Sequence, residues 1–586
     1  MLKKFLQGSV LAFLMSQSNV ALAQFVPAQP AVQPVGQPLW TINGQVRTRS
    51  EVRQGLGNPY AKGESWPAYF TSQRTNLNIG YRWDKMNFNV DLRDVRVWGQ
   101  DASSISNADG NKLFLHQAWA DVVLGTSADT NSKLQFFDNL SLKVGRQEIV
   151  YDDVRLLGNL DWLQQGRRHD AAILKILKKG YDIHAGFAMN QNSDAFGVIG
   201  NNYTAGNNNS VTISGNTAKP SLNGTFIPSA NGVVYTGYTV GNSTTLNNFL
   251  TPFNGNAPST NAQVNQYKFF QYLYATRKFN QTKLSVLAFK DDFQQWDAYS
   301  KTLLINPKLN TIKGVKGQDS VQTMTYDTVN VKGRNYGSTG NKLNTRITLG
   351  GQFNTQFGNV STLKAVINGG AYYQMGAISD KAGSGTKLNA SHFFLYTLFS
   401  KGKFSFGPGY EYLSGNSTNY TQTSAAAVNG GAERNANKNE RFDPLYGTPH
   451  RWWGYMDYFY VGTGSPKTGL QDLYFRFKYD HSSAFNIIVD GHYFASAADV
   501  YLKKTGSTTF EKQSKTYGQE IDIVANYQFN RFCNVELGAS AFFSKNTVNV
   551  VKGFAPDSRE TFNKWAYVML NIRPDFLFQK PQPISN

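Results

Sequence analysis

Glu520-Ile521-Asp522-Ile523-Val524-Ala525-Asn526-Tyr527-Gln528-Phe529 alternates between two kinds of side chain over ten residues. Ile521, Ile523, Ala525, Tyr527 and Phe529 fall on one parity, and Glu520, Asp522, Val524, Asn526 and Gln528 on the other. A period of two places successive side chains on opposite faces of a strand. The same pattern runs through Val535–Phe543, Leu473–Asp480, Phe404–Tyr412, Leu140–Val144 and Phe88–Leu92. About nineteen such segments occur, which within boundary error predicts roughly 16–20 strands. Many run to ~10 residues, the length of a tilted membrane-spanning strand, whereas soluble strands average ~5–6. Tyr and Phe gather at the strand ends, as interfacial girdles do.

Composition agrees with a membrane barrel. The chain has 586 residues, with Lys+Arg 58, Asp+Glu 39 and a formal charge of +19. Charged residues are 17% and aromatics 14%, against ~25% charged in soluble domains. Mean hydropathy is −0.41. Beyond the N-terminus no apolar run reaches the ~18 residues of a membrane helix. Lys3 and Lys4, the apolar stretch Leu6–Met15 and Ala21-Leu22-Ala23 before Gln24 read as a signal peptide over 1–23. Its removal lowers the charge from +19 to +17, by two lysines. Cys533 is the single cysteine, so no internal disulfide forms. Pro27, Pro30, Pro34 and Pro38 make 24–38 an extended arm. The barrel is expected over 39–578, closing on Phe578, with a tail at 579–586. A soluble sandwich or β-helix is the competing all-β reading; the export signal, strand length and low charge oppose it.

Long Asn-, Gly- and Thr-rich stretches at 191–266, 291–344 and 414–469 contrast with tight turns at 82–85, 178–180, 280–281 and 401–402. Long loops on one side and short turns on the other are the habit of outer-membrane barrels. The expected fold is thus an all-β, transmembrane antiparallel β-barrel with long extracellular loops. A bulge near Arg93-Asp94 is expected to keep Arg93, Asp94 and Arg96 on the polar face.

Catalytic motifs are missing. His116, His169, His184, His392, His450, His481 and His492 form no HExxH or HxH spacing. No GxSxG elbow occurs, and Gly402-Lys403 lacks the phosphate-loop glycine. The expectation is no enzyme, no metal and no cofactor. Basic runs never exceed short pairs, which argues against nucleic acid. The arginines carry the signal. A lipid-facing Arg costs a few kcal/mol near the midplane, so these must face lumen, water or headgroups. Arg47, Arg49, Arg74, Arg93, Arg96, Arg146, Arg155, Arg167 and Arg168 are the expected anion path. Rings of Arg make pores anion-selective, and the planar guanidinium binds carboxylate bidentately. Asp91, Asp94, Glu148, Asp152 and Asp153 would balance them. The bland alternative is a set of ordinary wall and rim ion pairs. Residues 442–462 hold eight aromatics, among which Trp452 and Trp453 are candidates for stacking on sugar rings. An interfacial girdle with a packed loop is the other reading.

Gly145-Arg146-Gln147-Glu148, Arg155-Leu156-Leu157-Gly158, Asp161-Trp162 and Gln165-Gly166-Arg167-Arg168-His169-Asp170 resemble the signature of the alginate-export family of outer-membrane proteins. The run Phe442–Gly454 resembles that family too. The resemblance implies an 18-stranded monomeric barrel, an arginine-lined constriction and passage of a polyuronate such as alginate. The sequence-level alternatives are a porin for small carboxylates or sugars, a surface adhesin, and a barrel-embedded lipid hydrolase. Expected partners are an anionic polysaccharide or small anion, with membrane lipid and lipopolysaccharide outside.

Overall fold

The computed structural model describes residues 38–577 apart from 65, 100–112, 131, most of 191–266, 295–296, 313–320, 336–342, 378–386, 422–430, 436 and 462–465. The expected signal peptide, nearly all of the proline arm, Phe578 and the tail lie outside the described residues. Eighteen long strands form the barrel sheet among the described residues. They are β1 (Leu39–Gln54), β2 (Ala68–Trp83), β3 (Met86–Val97), β4 (Phe114–Thr126), β5 (Asn139–Gln147), β6 (His169–Lys178), β7 (Tyr181–Met189), β8 (Phe269–Phe279) and β9 (Thr282–Gln294). The second half holds β10 (Leu343–Asn359), β11 (Leu363–Gly376), β12 (Lys387–Lys401), β13 (Phe404–Leu413), β14 (Leu470–Asp480), β15 (Phe485–Ala495), β16 (Thr516–Asn530), β17 (Cys533–Ser544) and β18 (Phe562–Ile572). Each pairs antiparallel with the next. β1 also pairs with β18, from Val46↔Ile572 to Gln54↔Lys564, so the sheet closes on itself. Closure leaves no strand edge in lipid, which the bilayer demands.

Parity sorts the side chains. Outward positions such as Val144, Leu273, Leu349, Leu395, Phe475, Ile523 and Leu537 are exposed. Inward positions such as Arg47, Arg74, Asp91, Asp121, Arg346, Glu411 and Asp490 are buried. The protein is therefore inverted relative to a soluble one, with its apolar surface turned to lipid. Trp40 against Tyr81 at 4.7 Å and Phe404 against Tyr479 at 5.0 Å mark the girdle at one end. At that end the turns are tight. Asp84, Lys179 and Asn280 carry positive φ, the conformation that two-residue hairpins need. The longest connections leave from the other end; the turn end also holds the twelve-residue connection 127–138, with a short 3-10 helix at Lys133–Phe136.

Two expectations need correction. β3 pairs with β2 from Ser72↔Val97 to Trp83↔Met86 without a shift, so no bulge lies at Arg93-Asp94. The register shift falls instead against β4, between Asp91 and Leu92. Asp94 and Arg96 consequently stay on the face opposite Arg93. Residues read as a loop within 291–344 contain paired strands, Asp297–Ile312 with Val321–Asn335, outside the barrel sheet. Their Thr- and Val-rich alternation suits pairing although it continues no membrane span.

Placing Arg at Ile523, mid-strand on the lipid face, should lower unfolding stability in lipid vesicles by about 2–4 kcal/mol. Equal stability of Ile523→Arg and wild type would contradict the lipid-facing assignment.

Candidate functional site: two loops between a basic and an acidic wall

The connection 148–168, between β5 and β6, turns into the lumen. β1, β2 and β3 place Arg47, Arg49, Arg74 and Arg93 on one inner wall, and all four are buried. Arg47 donates to the Asp161 carbonyl at 2.8 Å, to the Trp162 and Leu163 carbonyls at 3.3 Å, and to Gln164 Oε1 at 3.0 Å. Arg49 donates to the Trp162 carbonyl at 2.7 Å and lies 4.0 Å from the Trp162 ring centre. Arg93 reaches the Gln165 carbonyl at 3.2 Å. The Asp161 carboxylate accepts from Arg47 at 3.1 Å and Arg74 at 2.8 Å. A loop that enters a barrel must bury backbone carbonyls, and these guanidiniums satisfy them.

The loop then spans the lumen. Arg155 binds Glu411 of β13 and Asp153 of its own loop, at 3.2 and 2.7 Å. Its guanidinium is sandwiched by Trp452 at 3.6 Å and Phe394 at 3.8 Å. Asp152 accepts from Tyr274, Lys283 and Ser285 at 2.7–2.9 Å.

A second insertion, 440–461, comes from the connection between β13 and β14. The two loops pair in parallel at Leu157↔Tyr446. Tyr446 N–H donates to the Leu156 carbonyl at 2.8 Å, Gly158 N–H to the Tyr446 carbonyl at 3.0 Å, and Thr448 N–H to the Val154 carbonyl at 2.7 Å. A Cβ at Gly447 would collide with the Arg155 carbonyl, so only glycine permits this approach. Trp162 stacks on His450 at 4.1 Å, and His450 on Tyr455 at 5.0 Å. The second loop lies against a different stretch of wall, where Tyr455 N–H donates to Asp522 at 3.3 Å and Met456 N–H to Glu520 at 2.8 Å. That wall carries Glu411, Asp472, Asp490, Glu520, Asp522 and Glu536 on β13–β17, moderated by Arg476 and His492. Carbonyls thus face the basic wall and N–H groups face the acidic one.

Six of the nine non-glycine residues with positive φ among the described residues lie in these loops: Asp152, Val154, Leu160, Leu445, Asp457 and Tyr460. For a β-branched residue such as Val154 this conformation costs roughly 1–3 kcal/mol. The cross-lumen contacts hold it.

The predicted site residues separate into three groups. Arg47, Arg49, Arg74, Arg93 and Asp91 stand on the basic wall, with Arg93 bound to Asp91 at 3.0 Å. Arg155, Arg167, Asp152 and Asp153 sit in the inserted loop, and Arg167 donates to the Gly447 carbonyl. Glu148, at the base of that loop, accepts from Asn159 at 3.1 Å and pairs with His116 at 2.8 Å. Arg96, Asp94, Arg146 and Arg168 leave the lumen, because their parity points outward. Trp452 and Trp453 are buried, and Arg155 covers a face of Trp452, so neither ring is open to a sugar in this conformation. Arg53 shares the strand and parity of Arg47 and Arg49, whereas the acidic wall and Arg346 do not stand out in the sequence. Their signal is present as charges on the polar parity of 470–480 and 516–530, but its meaning depends on which strands face each other.

Enclosure would raise the Asp161 carboxyl; Arg47, Arg74 and Arg93 outweigh it and hold it well below the usual carboxylate range. Burial raises Asp153, and burial pushes the Arg167 guanidinium down to about 10. A depressed carboxyl stabilises above its unfolded value of ~3.9 and ceases to as pH falls through the folded value. The anchoring of 148–168 by Asp161 should hold down to about pH 4 and weaken below it. Conductance noise that rises below pH 4 in wild type but is already high and pH-flat in Asp161→Asn is the expected outcome. Arg155→Ala should destabilise the inserted loops by about 3 kcal/mol, since buried Glu411 keeps only His392 and Asp153 only the Asn368 amide as side-chain partners. Limited proteolysis within 148–168 reports it.

A closed, inverted barrel with loops folded into its lumen defines an outer-membrane β-barrel protein. Residues 40–189 match the sequence model of the family described as "Alginate export". That match spans about a quarter of the chain and makes this part similar to the alginate-export family; the closed barrel with a lipid-facing apolar surface belongs in the bacterial outer membrane. Similar solved structures include OccK2 (OpdF) of Pseudomonas aeruginosa in complex with glucuronate, 11% identical, covering 94% of this chain and 100% of that chain, with a TM-score of 0.46. A BenF-like porin from Pseudomonas fluorescens Pf-5 is 10% identical, covering 92% and 99%, with a TM-score of 0.48. OccAB1 of Acinetobacter baumannii is 10% identical, covering 92% and 97%, with a TM-score of 0.47. No curated protein matches the chain.

Proposed function

We propose that this barrel passes an anionic, carboxylate-bearing saccharide, a polyuronate such as alginate, down its gradient through the lumen. One observation carries the reading. The β1–β3 wall sets Arg47, Arg49, Arg53, Arg74 and Arg93 against Glu51, Asp91 and the loop's Asp161, five cations to three anions. The remaining guanidinium valence is met by neutral carbonyls, which leave the charge in place. Asp161 keeps 44% of its side chain open to the lumen, so water and anions reach this cluster. A uronate would turn its carboxylates to this wall, where the guanidiniums replace part of their hydration. Its hydroxyls would donate to the carboxylates of β13–β17. Wall carboxylates also keep binding weak enough for release. Arg53, about one-third open and held by Glu51 at 2.8 Å, is the wall arginine best placed to meet the solute.

A second reading, a porin for small carboxylates, is favoured by the tight meeting of the loops at Trp162 and His450. Planar-bilayer recording separates the two. Wild type should prefer anions, and oligouronates should block it at lower concentration than monomeric carboxylates. Arg53→Glu should cut the anion-to-cation permeability ratio by about tenfold, near 1.4 kcal/mol. Cation preference in wild type sinks both readings. Stronger block by monomers selects the small-solute porin.

A further inference from the structure

The motif arginines that leave the lumen form a cluster of their own. Arg146 is the Cα partner of Ala118 and Asp170. Its sequence neighbour Gln147 is fully buried inside, while Val144, on its own parity, is 47% exposed to lipid. Arg146 thus points outward at the loop end of β5. Arg168 does the same at the start of β6, between Arg167 and His169, which are both buried inward. Arg146 grips Asp170 with two bonds of 2.8 Å. Its remaining nitrogen has only a 3.5 Å contact, to the Leu115 carbonyl. Arg168 has no carboxylate within bonding distance among the described residues and lies 4.5 Å over the Phe114 ring. The cluster therefore holds two guanidiniums against one carboxylate. Toward the bilayer on the same face, Val144 and Leu142 of β5 and Ala172 and Leu174 of β6 continue as an apolar track.

We propose that the outer wall at the loop ends of β5 and β6 is a docking site for the phosphorylated headgroup of an outer-leaflet lipid, with Arg146 and Arg168 as its phosphate ligands. Three features select this occupant. A guanidinium on the outer wall is tolerated only at headgroup depth, where charge costs little. Planar guanidinium donors match phosphate oxygens. The track below accepts acyl chains, which a soluble anion does not need. The Asp170 carboxylate fixes the Arg146 fork and leaves its free edge outward. The pairing of Asp94 with Arg96 at 2.7 Å at the loop end of β3 adds a second outward ion pair beside exposed Trp98.

Full-length protein in detergent micelles, exposed to bis-phosphorylated lipid A or to its dephosphorylated form, tests this by native mass spectrometry. Wild type should retain the phosphorylated lipid about tenfold better. Arg168→Gln, which breaks no ion pair, should lose most of that preference, and Arg146→Gln with Asp170→Asn and Arg168→Gln should abolish it. Ion selectivity in bilayers should be unchanged in both variants, which separates this site from the lumen. Equal retention of the two lipids by wild type, or an unchanged preference in Arg168→Gln, overturns the proposal. Full displacement by inorganic phosphate would make it a site for the free anion and overturn the lipid assignment. A wild-type dimer that falls to monomer in the variants would make it a contact between copies, with the same consequence. Heat-modifiable migration on gels confirms that each variant is a folded barrel.

Discussion

Backbone carbonyls brought into a barrel need donors, and the guanidiniums of β1–β3 supply them. Arg47 alone meets three successive carbonyls, at Asp161, Trp162 and Leu163. Without those donors the connection 148–168 would leave unsatisfied polar groups in an enclosed space, at roughly 1–3 kcal/mol each. Everything else in the lumen follows from this anchoring. The second loop has a partner to pair with only because the first is held in place, and the strained Val154 persists only because both ends of its loop are fixed.

The two walls make the arrangement directional. A peptide group has a negative end and a positive end. The loop presenting carbonyls lies on the arginine side, and the loop presenting N–H groups at Tyr455 and Met456 lies on the carboxylate side. The stack Arg49, Trp162, His450 and Tyr455 links them across the lumen. Charge therefore serves packing and solute attraction together. Carbonyl partners satisfy hydrogen bonding but carry no net charge, so an arginine bound to them still attracts an anion.

The eighteen-strand barrel is largely legible in the sequence, because the period of two is written into each strand separately. The segment 520–529 reads as lipid-facing and lumen-facing parities without reference to any neighbour. Charge on the polar parity is equally legible. Less so is the face taken by a charge at a strand end. Arg93, Asp94 and Arg96 form one polar group only if a bulge intervenes, yet β3 keeps its register with β2. Arg146 and Arg168 belong to the same motif as Arg155 and Arg167 but stand on the other side of the wall. A motif carries no parity across a turn.

Sequence alone determined the alternation, the strand lengths, the asymmetry of turns and loops, and the basic balance, since all are local properties of consecutive residues. Tertiary structure alone decided that 148–168 enters the lumen and that 440–461 pairs with it. It also decided that Glu411, Asp472, Asp490, Glu520 and Asp522 share one interior with Arg47 and Arg74. Those relations join residues hundreds of positions apart, as in Arg155 with Glu411. They depend on the closure of β1 onto β18, which brings the walls around one interior only when the last strand has met the first.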